Sequence, residues 1–147
     1  MPRIRTQVNQ LRELTVHRRM DAEVLFRNQR WNGSVYLVGY SVECAVKPAV
    51  SRGLRSKRLP DELAVHDLGV LIGRTSRTGV PHIALWSLMN SGGRSGPAAA
   101  FGRIAAIWSS EMRYETRSVD KETARAMLAD ATKVTDWLNE QYAGEHL

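Results

Sequence analysis

Residues 31–50 read WNGSVYLVGYSVECAVKPAV, an almost unbroken apolar or small stretch interrupted by Glu43, Lys47 and Pro48. Trp31-Asn32-Gly33 punctuates, and the spacing after it predicts a helix over 34–52, stopped by Gly53. On a helix, residues at i, i+4, i+7 and i+11 share a face. Val38, Val42, Ala45 and Ala49 then form one apolar stripe, and Val35, Gly39, Val42, Val46 and Val50 its neighbour. Leu37, Ser41, Cys44 and Pro48 are small or apolar as well. Only Tyr36, Tyr40, Glu43 and Lys47 form a polar stripe, so nearly every side of this helix requires burial. Gly39 and Ser41 suggest the close approach of another helix. A proline inside a helix removes one backbone hydrogen bond, here to the carbonyl of Cys44, and predicts a kink or an early end at Pro48.

Working outward, RIRTQVNQLRELTVHRRMDAEVLF places Ile4, Val8, Leu11 and Thr15 on one side of a helix and Met20, Val24 and Leu25 on another. A basic loop, GLRSKRLP, follows Gly53. Pro60 and Asp61 open a further predicted helix, DELAVHDLGVLIGRT, with Leu63, Leu68 and Leu71 among its apolar positions. After PHIALWSLM comes the Gly/Ser-rich NSGGRSGPAAAFG, about 90–102, read as a connecting loop. It holds neither a phosphate-loop lysine nor the three-glycine dinucleotide fingerprint. Helical spacing returns in RIAAIWSSEMRYE through Ile104, Ile107, Trp108 and Met112. The last helix has Asp120 as its N-cap and Ala124, Met127, Leu128, Ala131, Val134 and Leu138 along one face. No alternating strand pattern and no internal repeat occurs. The expected architecture is a single all-α domain, residues 1–147, forming a compact up-and-down bundle of four to five helices.

The bulk properties agree. A chain of 147 residues can bury about 70% of its unfolded surface. With 43% apolar and 24% charged residues, it falls in the globular range rather than the disordered or fibrous one. The one cysteine, Cys44, lies within the apolar stretch and behaves as a small hydrophobe, which fits a reducing cytoplasm. The charged N-terminal MPRIRTQVNQ lacks a signal-type apolar core, and no segment reads as membrane-spanning. The net charge is +6, with 17 Arg against 4 Lys. Arginine's planar fork suits phosphate, so this balance favours a nucleic acid or another acidic partner.

Glu43 and Lys47 stand in the favourable i, i+4 order for an ion pair. Buried charges need further hydrogen-bonding groups, and Arg113 in WSSEMRYET is the basic candidate to face them. Two readings follow: a Glu43–Lys47–Arg113 network that pins helix register, or a polar Tyr-lined groove that recognises phosphate or a base. One Cys and four scattered His give no zinc-type spacing, and no cofactor motif occurs. Asp61 and Glu62 are ordinary helix-start residues.

At these same residues the chain resembles the HEPN family, the "higher eukaryotes and prokaryotes nucleotide-binding" helical domains. YLVGYSVECAVKPAV is similar to that family's Glu-x-x-x-Lys helix, HDLGVLI from His66 to its His-Asp-Leu helix start, and EMRYE to its Arg-Tyr element. The resemblance covers about 21–142. It implies a helical bundle that homodimerises, RNA or a nucleotide as ligand, a toxin–antitoxin or phage-defence setting, and a nucleotidyltransferase as partner protein. The implied binding residues are Arg113, Tyr114, Lys47, Glu43, Tyr40 and His66.

Catalytic members are metal-independent endoribonucleases in which an Arg is followed after four to six residues by a His. The Arg stabilises phosphate charge while the His handles the 2′-hydroxyl proton. Here the positions required after Arg113 hold Ser118, Val119 and Asp120, so a non-catalytic binding module is the expected type. Arg12 with His17 and Arg77 with His82 also match the spacing. With so many arginines, such pairs arise by chance. Arg77 and His82 flank a turn-forming TGVP, and Arg12 and His17 share the first helix. A rearranged nuclease site built on them, or a non-catalytic helical scaffold, are the alternative readings.

Overall fold

The computed structural model describes residues 8–53, 68 and 90–142. These residues are helical throughout their ordered elements: α1 (Val8–Arg27), α2 (Trp31–Gly53), α3 (Pro97–Ile107) and α4 (Lys121–Tyr142), with 3₁₀ turns at Asn90–Ser95 and Ser110–Tyr114. No helix among them is long and apolar enough to cross a membrane. The four helices pack together as an all-helical bundle, with α2 at its centre.

A tight turn joins α1 to α2. The Arg30 amide donates to the Leu25 carbonyl at 2.9 Å and the Gln29 amide to that of Phe26 at 3.1 Å, the double bond of a Schellman cap. That motif requires a left-handed residue, and Gln29 supplies it at φ 60° although glycine is the usual occupant. Phe26 and Trp31 meet edge to face at 5.0 Å across the turn. The buried Ser34 hydroxyl donates to the Ala22 carbonyl at 2.8 Å, so the two helices run antiparallel and in contact.

Burial on α2 follows the sequence pattern. Val35, Val38, Val42 and Val46 are fully enclosed, each contributing about 1.5–3 kcal/mol of burial free energy. Ala124, Met127, Ala131, Val134 and Leu138 of α4 meet them as expected, and Leu128 packs against the same core. Leu68 is helical and buried in that core; the rest of the helix expected after Pro60 lies outside the described residues, as does the basic loop. α4 begins as expected, with the Thr123 amide donating to Asp120 Oδ1 at 2.7 Å. This bond holds the Asp120 carboxyl below the usual carboxylate range.

Four expectations are corrected. First, α2 starts at Trp31, about one turn before Ser34, because the chain break falls at the Schellman turn rather than at Trp31–Gly33. Second, of the kink or early end expected at Pro48, the early end does not occur: α2 continues to Gly53. Pro48 costs a single backbone bond, whereas Val46 and Ala49 on either side are held in the core. Third, residues 90–102 are no loop. Asn90–Ser95 is a 3₁₀ turn, and Pro97 occupies the first turn of α3, where its missing N–H is harmless. Alanine is the best helix former, and Ala98, Ala100, Phe101 and Ile104 bury against α4 and α2. Arg103 of α3 makes a two-pronged bond to Asp130 of α4, both contacts 2.9 Å. Fourth, α3 stops at Ile107, with Trp108 extended at its C-cap, and does not run on to Met112.

Trp108 locks the end of α3 onto α2. Its ring covers Gly39 so closely that a Cβ there would overlap Cδ1, Cγ and Nε1 of the indole. Its Nε1–H donates to the Tyr36 carbonyl at 2.9 Å, and its ring stacks on Tyr36 at 6.3 Å. The sequence's Gly39 does mark a close approach, made by an indole rather than a second helix. Gly39→Ala should therefore overpack this contact and cost about 1–3 kcal/mol in urea denaturation, outweighing alanine's better helix propensity. Gln29→Gly should move stability the other way, by up to about 1 kcal/mol, because glycine adopts the left-handed conformation without steric cost.

Candidate functional site

The polar stripe of α2 is real, and it changes character along its length. At its inner end Glu43 and Lys47 are 1% and 5% exposed, with Lys47 Nζ 3.5 Å from Glu43 Oε2. Half-buried Tyr40 lies next along the stripe; burial first, then Cys44 and Glu43, raise its phenol above the usual range. Burial, reinforced by Glu43, pushes the Cys44 thiol up to about 12. Such a thiol is protonated at neutral pH and a poor nucleophile or metal ligand.

At its outer end the stripe reaches the surface beside Tyr36. Here the expected arrangement is corrected: Arg113 does not face Glu43 and Lys47. It is exposed on the 3₁₀ turn Ser110–Tyr114, with its guanidinium 4.9 Å from the centre of the Tyr114 ring. Tyr114 first, and Tyr36 after it, favour the cation and raise its pKa. The reason lies in Trp108, whose extended C-cap turns the chain outward over Tyr36 before Arg113 is reached. Tyr114 is 69% exposed.

Asn32 fixes the segment after this turn. Its Nδ2 donates to the Arg117 carbonyl at 2.7 Å, and its Oδ1 accepts the Val119 amide at 2.6 Å. Arg30, from the α1–α2 turn, lines the same end of the bundle with Asn32 and Ser118. Several local carboxylates are committed to the chain itself: Glu115 Oε1 accepts the Arg117 amide at 2.9 Å, Asp120 caps α4, and Glu122 pairs with Arg125. Arg30, Arg113 and Arg117 make no ion pair among the described residues, although Glu111 is exposed nearby. The result is an exposed aromatic ring beside Arg113 and Arg117 on a braced loop and Arg30 on the neighbouring turn, none of the three paired with a carboxylate of the described residues. Aromatic faces can stack on bases, and arginine forks can meet phosphates.

The other sequence candidates fall elsewhere. Arg12 lines a groove of about 250 Å³ with Val16, Arg19, Pro48 and Leu138, where α1, α2 and α4 meet. His17 is exposed on α1, about 140° around the helix from Arg12. His66, Arg77 and His82 lie outside the described residues. No group of His, Cys, Asp and Glu among the described residues could hold a metal ion. Sequence reading missed Asn32, Arg30 and Arg117. Asn32 sits in a WNG triplet that reads as punctuation, and its partners are main-chain atoms more than 80 residues away.

No family model, curated protein or solved structure matches the chain.

Replacing Lys47 by Met should cost about 3–5 kcal/mol in denaturant unfolding, because it leaves a buried carboxylate without its ammonium. Cys44 should react with iodoacetamide only as the protein unfolds. Its folded pKa lies above the ordinary thiol value of 9.0, so the unfolded chain releases its proton first. Its contribution to stability is full below that value and falls as pH climbs towards 12.

Proposed function

We propose that the protein is a non-catalytic nucleic-acid-binding module that takes a single strand at the end of the bundle carrying Arg113 and Tyr114. Tyr114 stacks on a base, and Arg113, Arg117 and Arg30 meet the flanking phosphates. The observation that carries this reading is the exposed Arg113–Tyr114 pair on a loop braced by Trp108 and Asn32, with its arginines uncommitted to carboxylates. The net charge of +6 supports it, as does the resemblance to HEPN domains around Arg113. The absence of His at 118–120 favours binding over cleavage. Glu43, Lys47 and Tyr40 serve this site as the interior of the helix that supports it. The setting implied by the resemblance, a cytoplasmic toxin–antitoxin or phage-defence pair with a nucleotidyltransferase, belongs to the same proposal.

Fluorescence anisotropy with a labelled single-stranded RNA tests the reading. Arg113→Ala should weaken binding across sequences and lower the slope of log affinity against log salt by about one. Tyr114→Ala should cost about 1–3 kcal/mol, the worth of one stacked base. Affinity unchanged by both substitutions, or no affinity at low salt, would overturn it.

A further inference from the structure

The outer face of α1 carries an exposed apolar row. Val16, Met20 and Val24 are 50%, 58% and 54% exposed, and their four-residue spacing aligns them on one side of the helix. The opposite side of α1 is already committed. Leu11 and Ala22 are buried, and Arg19 reaches Thr135 at 3.1 Å and Asp136 at 3.4 Å on α4. Glu13 and Arg27 stand seven residues before and after Met20 and share its direction on the helix to within about 20°. Both are exposed, and neither makes an ion pair among the described residues.

We propose that α1 pairs antiparallel with α1 of a second copy about a twofold axis at Met20. The spacing is self-complementary about that residue. Met20 meets the partner's Met20, Val16 packs beside the partner's Val24, and Glu13 faces the partner's Arg27, each of the last two contacts occurring twice. A parallel pairing sets Glu13 against Glu13 and Arg27 against Arg27, so charge selects the antiparallel one. Apolar contact along Val16, Met20 and Val24 supplies the attraction, and the two ion pairs fix register at either end. An isologous contact of this type closes at two copies. The proposal is independent of the nucleic-acid reading, which uses residues outside α1.

Sedimentation equilibrium across the micromolar range tests it, with circular dichroism confirming that each exposed-site variant keeps its helices. The wild-type chain should reach twice its 16.5 kDa mass, and Met20→Arg should hold it at the single-chain mass. Glu13→Arg alone and Arg27→Glu alone should each weaken association about tenfold, since two attractions become two repulsions. The double variant E13R/R27E should return to near the wild-type dissociation constant. A wild-type monomer throughout would overturn the proposal and leave this face to a different protein. A dimer indifferent to Met20→Arg, or a double exchange that fails to restore association, would overturn it equally.

Discussion

The seat of Trp108 on Gly39 is the contact on which the rest of this structure depends. It needs two things at once: a helix without a side chain at one position, and an indole arriving at the end of another helix. Together they terminate α3, bring the Tyr36 carbonyl its indole donor and set the direction in which the chain leaves. Everything that follows, including the 3₁₀ turn with Arg113 and Tyr114 and the bracing of residues 115–119 by Asn32, inherits its position from that seat.

The seat in turn relies on α2 being buried on nearly all sides. A helix enclosed this way has no solvated face on which to place polar groups, so its polar residues must satisfy one another or reach the ends. Glu43 and Lys47 do the first, deep in the core, while Tyr36 does the second beside Arg113. A buried ion pair is a poor source of net stability, because desolvation offsets its Coulombic attraction. What it supplies is a penalty on rotation or slippage of α2, since either would strand a charge.

Helix type and core membership were legible because they rest on local spacing. The valines of α2, the Ala124-to-Leu138 face of α4 and the Asp120 cap all lie where the pattern placed them. Pro48 and residues 97–101 misled for the same physical reason. Local breaker signals were outweighed by burial of neighbouring side chains, a tertiary effect that composition does not register. The partner of the polar stripe was illegible from the other direction. Spacing shows that Arg113 follows Trp108 by five residues, but not that Trp108 ends the helix and turns the chain outward. Asn32 was invisible because its role is to bind carbonyl and amide groups that sequence separates by more than 80 positions.

The two ends of one stripe differ: the buried Glu43–Lys47 end holds the helix in register, and the exposed end, with its loop, is the proposed contact for a single strand. Amide chemical-shift mapping during titration with a short single-stranded RNA separates these roles most directly. The largest shifts are expected at residues 30–32 and 110–117, with those of 43–47 small. Shifts centred instead on the groove beside Arg12 and Leu138, or spread evenly over the bundle, would contradict the account.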